Sequence, residues 1–194
     1  MKLCVLFPGI GYTVDKPLLY YLGKYARSRD YEIISIKYKD LPKKVKGDSE
    51  KMKLTFDIAI EQTKDQLKDV EWSKYEHIIF IGKSIGTAIA AAFGKELKSG
   101  LSHSLDNLNI NYILLTPLKE TFLFIDSKSA AAFHGTSDPW AETPEIEGLA
   151  SKLDIPLYEY ANANHSLETG DFETDINYLK DVFSKCSPYF IYHQ

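Results

Sequence analysis

Apolar residues in this chain collect into short runs, and the runs alternate with longer stretches in which apolar positions recur every three or four residues. The short runs, such as Leu3 to Phe7, Ile78 to Ile81 and Tyr112 to Leu115, have strand length and are apolar at successive positions. A strand of that kind is covered on both faces, which is the habit of a parallel sheet flanked by helices. The pattern predicts strands over 2–7, 31–38, 76–82, 111–116, 129–134 and 156–161, and helices over 16–28, 49–71, 85–98, 144–152 and 171–186. In the second helix Leu54, Phe56, Ile58, Ile60 and Leu67 are expected to form the apolar face, and in the last Ile176, Leu179 and Phe183, with Asp171 as N-cap and Pro188 beyond the end.

Strand and helix alternating from end to end predict an α/β fold: a three-layer α/β/α sandwich with a mostly parallel six-stranded sheet. No linker-like composition divides the 194 residues, so a single domain over 1–194 is expected. The connection Leu118 to Ser127 offers about ten residues, which allow a short helix or loop but no multi-helix cap over the sheet edge.

Composition narrows the partners. A net charge of −4 gives no electrostatic ground for binding nucleic acid, and the lysines between Lys37 and Lys53 are interrupted by Asp40, Asp48 and Glu50. The chain has no apolar window of about 18 residues, so no membrane span is expected. Cys4 and Cys186 are too few and too isolated for a disulfide framework or a zinc site. The expectation is therefore a cytoplasmic protein, monomer or homodimer, acting on a small molecule without a cofactor.

The chemistry begins at Gly82-Lys83-Ser84-Ile85-Gly86, a Gly-x-Ser-x-Gly frame with a strand run before it and the small residues Thr87 to Ala92 after it. A serine at such a strand-to-helix turn stands clear of the sheet edge, and the glycines let strand and helix pass closely. Gly82-Lys83-Ser84 also invites comparison with a phosphate-binding loop, but that loop needs a glycine five positions earlier, and position 77 is His. A serine hydroxyl needs a histidine to take its proton and an acid to orient the histidine. Asp138, just past the fifth strand, and His165, just past the sixth, supply both in the order serine, acid, base. Asp126 and Glu168 are the substitutes for the acid. His77, His103 and His193 lie poorly for the base, and His134 ends a strand two residues from any plausible mouth.

Charge developing on a substrate carbonyl needs donors already in place. The amide of Ile85 is one, and the second is expected from Pro8-Gly9-Ile10-Gly11, at Ile10 or less favourably Gly11. That requires the first and third strands to be neighbours, with the second outside, hence a strand order of 2-1-3-4-5-6. Tyr12, Trp140 and Gly11 are the candidate substrate contacts, whereas Lys83 is weighed mainly as a packed or solvated residue.

Four motifs, Pro8-Gly9-Ile10-Gly11, Gly82-Lys83-Ser84-Ile85-Gly86, His134-Gly135-Thr136-Ser137-Asp138-Pro139 and Asn164-His165, carry a resemblance to the α/β-hydrolases. The chain is similar to the small, lidless dienelactone-hydrolase-like and bacterial esterase branches. Many members have His-Gly where this chain has Pro8-Gly9, and full-length members begin with two further strands. The resemblance implies hydrolysis through an acyl-enzyme, with Ser84 as nucleophile, His165 as base and Asp138 as acid. The expected substrates are small esters or thioesters. A lactone or peptide bond is the alternative within hydrolases, and a non-catalytic binding or sensor protein of the same fold is the alternative outside them.

Overall fold

Residue-by-residue alternation decides how the layers assemble. In the computed structural model, which describes residues 1–100, 108–125 and 129–190, six strands form one sheet in the order β2-β1-β3-β4-β5-β6. They are β1 (Lys2–Phe7), β2 (Tyr31–Ser35), β3 (His77–Lys83), β4 (Ile110–Leu115), β5 (Ala130–Gly135) and β6 (Leu157–Tyr160). Every pairing is parallel, and β1 lies between β2 and β3 with Phe7 opposite Gly82. The expected order and layers are found, and the sheet is wholly parallel.

Leu3, Val5, Phe7, Ile78, Phe80, Tyr112 and Leu114 face one side. That side is covered by α2 (Ser49–Leu67), α3 (Ile85–Gly100) and α4 (Thr143–Lys152). Cys4, Leu6, Ile79, Ile81, Ile113 and Leu115 face the other, beneath α1 (Pro17–Ser28) and α5 (Phe172–Cys186). Successive strand residues thus feed opposite cores, which is why the strands read as unbroken apolar runs.

Differences from the sequence expectations have local causes. β2 stops at Ser35 because the backbone of Lys37 and Lys39 is paired by the side-chain amides of Gln66 and Gln62 from α2, at 2.8 to 3.0 Å. The buried stripe of α2 runs through Thr55, Ala59, Ile60, Thr63 and Leu67, and Leu54 is exposed. Thr55 and Thr63 can be buried because each hydroxyl bonds the carbonyl four residues earlier. Likewise α5 buries Val182 and Cys186, leaving Ile176 outside, while Asp171 caps it by accepting from the Thr174 amide at 2.9 Å. After β4 the chain makes a short 3-10 helix, Lys119–Leu123, in the segment where a lid would enter. Residues 126–128, 101–107 and 191–194 lie outside the described part, and with them Asp126, His103 and His193.

The five strands β1, β3, β4, β5 and β6 all end at the same edge. Pro8 to Thr13, Ser84, Thr116, Asp138 and His165 follow those ends in turn, so residues far apart in sequence share one rim.

Candidate active site

Ser84 occupies the single position between β3 and α3 and has φ of 57°, a left-handed conformation that costs a non-glycine residue about 1 to 2 kcal/mol. The turn is locked by the Ser84 amide bonding Leu115 O at 3.0 Å and by Thr87, whose amide and hydroxyl both bond Ser84 O. A methyl on Gly86 would lie 2.2 Å from Phe7 O, and one on Gly82 would lie 2.6 Å from Thr87 Cα. Only glycine lets β1, β3 and α3 meet here.

Ser84 Oγ lies 2.7 Å from His165 Nε2, and His165 Nδ1 lies 2.6 Å from Asp138 Oδ2. The other carboxylate oxygen, Oδ1, accepts from the Trp140 amide at 2.8 Å, so Asp138 has a fixed orientation. His165 is held by Asn164, whose side chain accepts from the Ser166 amide at 2.7 Å and whose carbonyl accepts from Leu167 N. Gly135 lets the loops carrying Asp138 and His165 touch, since a Cβ there would be 2.3 Å from Ala163 O. The structure therefore brings Ser84, His165 and Asp138 into one hydrogen-bonded row. Glu168, the substitute acid, is absent from that row.

Burial lowers the His165 pKa below its ordinary 6.5, opposed by the hydrogen bond to Asp138 and assisted by the charge of Lys83. At neutral pH the imidazole is neutral, as a proton acceptor must be.

The loop after β1 passes close to Ser84: a Cβ on Gly9 would fall 3.1 Å from both Lys83 O and Ser84 Cβ. Gly9 N bonds Tyr12 O at 3.1 Å and Gly11 has φ of 77°, a turn that leaves Ile10 exposed. Ile85 is the first residue of α3, where amides have no partner inside the helix.

Solved structures share this arrangement of strands and helices. An alpha-beta serine hydrolase homologue from Coxiella burnetii matches over 95% of this chain and 84% of its own, with a TM-score of 0.61 and 15% identity. The chain has the α/β-hydrolase fold. A lidless a/b serine hydrolase from Xanthomonas campestris matches over 100% of this chain and 84% of its own, with a TM-score of 0.60 and 8% identity. The ydeN gene product of Bacillus subtilis matches over 97% and 98%, with a TM-score of 0.60 and 13% identity. No protein-family model matches the sequence, and no curated protein does.

Among the described residues, three cavities flank the rim of this α/β-hydrolase fold. One, of about 240 Å³, is lined mostly by apolar side chains, among them Met52, Phe56, Ile85, Leu118 and Phe124, together with Lys53 and Glu120. A larger polar one of about 720 Å³ runs past Leu118, Pro139 and Trp140. A third, of about 400 Å³, is bordered by Gly9, Ile10 and Gly11. Trp140 stands at the site, its ring 5.6 Å from that of His165. Tyr12 differs from the expectation: it is buried, its hydroxyl accepts from the Leu18 amide at 3.1 Å, and its ring lies against Lys83 instead of lining a cavity.

His134 is buried with Nε2 bonded to Thr143 Oγ1 at 2.9 Å, a structural link between β5 and α4. His77 lies at the opposite end of the sheet, bonded to Tyr31 and Asn111. Among the described residues no group of His, Cys, Asp or Glu could hold a metal, and no helix is long and apolar enough to cross a membrane. Sequence reasoning misses Thr116, a β-branched residue with φ of 45° that bonds β5, Lys83 and the His165 loop. A threonine after a strand carries no signal by itself; its role arises from partners distant in sequence.

Proposed function

We propose that this chain is a serine hydrolase that cleaves small ester or thioester bonds through an acyl-enzyme on Ser84. The observation that carries the reading is the unbroken row from Ser84 Oγ through His165 to Asp138, at 2.7 and 2.6 Å, seated on a strained strand-to-helix turn. In it, His165 Nε2 takes the Ser84 proton as Oγ attacks the carbonyl carbon. Asp138 holds the proton on Nδ1 and stabilises the imidazolium that forms. The amides of Ile85 and Ile10 receive the oxyanion, a contribution of roughly 3 to 4 kcal/mol per donor by analogy with other acyl-transfer sites. His165 then returns its proton to the leaving alcohol or thiol. Water, deprotonated in the same way, attacks the acyl-enzyme, releases the acid and restores Ser84.

The apolar cavity beginning at Ile85 suits the acyl group, because Ile85 follows the nucleophile directly. Its 240 Å³ lies below the usual range of about 300–1,000 Å³ for ligand sites, which favours short acyl chains. Purified protein should hydrolyse p-nitrophenyl esters of short acids, with rates falling as the acyl chain lengthens. It should also be labelled by a fluorophosphonate, whereas Ser84→Ala should lose both properties. Equal ester turnover by Ser84→Ala and parent would defeat the assignment.

A further inference from the structure

Lys83 lies between Gly82 and Ser84, and its long side chain is folded inward, 1% exposed, beneath the nucleophile. Nζ donates to Thr116 Oγ1 at 2.6 Å and lies 4.8 Å from the centre of the Tyr12 ring. The nearby carboxylate of Asp138 is already taken by His165 and the Trp140 amide. A buried cation bonded to a neutral hydroxyl is costly, and it is not explained by packing alone.

The hydroxyl it meets has a second partner. Thr116 Oγ1 is 3.2 Å from the backbone carbonyl of His165. An ammonium can only donate, so Thr116 Oγ1 must accept from Lys83, and its single proton is then directed at His165 O. A neutral amine could accept that proton and release the carbonyl. Thr116 is held for this task in a left-handed conformation, with its amide bonded to Phe133 O at 2.7 Å.

We propose that Lys83 is a positioning residue for His165, holding the histidine loop through Thr116 and keeping the imidazole neutral through its own charge. This rests on Ser84, His165 and Asp138 being the catalytic set. The titratable groups acting on the pair are on every side: Asp138 and Glu168 favour the charged lysine, burial opposes it and brings its pKa to about 7, and the Tyr12 ring lies against it. On His165, the charges of Lys83 and His134 oppose protonation and Asp138 favours it. The lysine thus extends the acid side of the range in which His165 can accept a proton.

The two arms separate by mutation. Lys83→Met removes charge and donor together, Lys83→Gln removes the charge while keeping a donor, and Thr116→Val removes the relay while keeping the charge. His165 protonation is followed by NMR of the imidazole, which does not depend on turnover, and Ser84 reactivity by fluorophosphonate labelling across pH. In Lys83→Met and Lys83→Gln the His165 midpoint should rise and the acid limb of labelling should move with it, each half unit being worth about threefold in rate. Thr116→Val should label more slowly at every pH with its midpoint unmoved, and Thr116→Ser should restore the parental rate. Folded Lys83 variants with a parental His165 midpoint would overturn the charge arm, and parental labelling by Thr116→Val would overturn the relay. Should neither Lys83 variant fold, the Thr116→Val and Thr116→Ser pair still decides the relay. If the parent itself fails to label, it is the catalytic assignment that falls, while the NMR midpoints still test Lys83.

Discussion

Gly86→Ala is the most demanding test of the turn at Ser84, because the added methyl has nowhere to go. It would lie 2.2 Å from Phe7 O and 2.5 Å from Pro8 O, both backbone atoms, where real Cβ atoms essentially never come under 3.0 Å. Relief requires opening roughly 0.8 Å between the start of α3 and the end of β1, taking 2.2 Å to 3.0 Å. Two costs follow. Overpacking a tight interior contact costs about 1 to 3 kcal/mol of stability. The displaced carbonyls also begin the loop carrying Ile10, so the oxyanion donor proposed there moves by a sizeable part of an ångström, and a misplacement of about 1 Å costs on the order of a hundredfold in rate.

The matched control is Gly148→Ala in α4, where a Cβ meets nothing within 4 Å and the backbone is helical. That change should be neutral or stabilising by about 0.5 to 1 kcal/mol. Urea unfolding gives the stability of each variant, and kcat/KM on a short p-nitrophenyl ester gives the catalytic effect. Gly86→Ala with parental stability and parental kcat/KM would refute the close-approach argument, since no room exists to absorb the methyl silently.

Three further outcomes are expected. Asp138→Asn keeps an acceptor for the Trp140 amide but no longer fixes the His165 tautomer, so kcat for ester hydrolysis should drop about a thousand- to ten-thousandfold while thermal unfolding changes little. Because burial lowers the His165 pKa, kcat/KM should rise with pH through a midpoint below 6.5, the imidazolium being unable to accept the Ser84 proton; a midpoint above 6.5 would contradict the burial seen here. Lys83 has its pKa lowered from 10.5 to about 7, so the unfolded chain binds its proton first and the parent loses stability as pH falls from 10.5 towards 7. Lys83→Met removes that penalty and should be more stable than the parent by about 1 kcal/mol or more in urea at neutral pH, the gain shrinking as pH approaches 10.5.

What was legible in the sequence follows from what each signal depends on. The strands were readable because Leu3 to Phe7 and His77 to Lys83 are buried on both faces, and a segment this short that is apolar at nearly every position suits the middle of a covered sheet. The row of Ser84, Asp138 and His165 was readable because each follows a strand end, and parallel topology brings strand ends together whatever the loops do. Helix faces were less readable. Leu54 looks like core and is exposed, while Thr55 and Thr63 look like surface and are buried, because a hydroxyl that bonds its own helix no longer needs water.

The sequence leaves Lys83 open between a packed and a solvated position, for a related reason. Sequence statistics put lysine at the surface, and nothing adjacent to Lys83 signals otherwise; its environment is made by Tyr12 and Thr116, from the ends of two other strands. The same residue is the point at which stability and function are set against each other. An apolar side chain under Ser84 would remove a buried charge and make a more stable protein, so the cost of the lysine has to be offset elsewhere. Its charge and its hydrogen bond both lead to His165, the base proposed for Ser84.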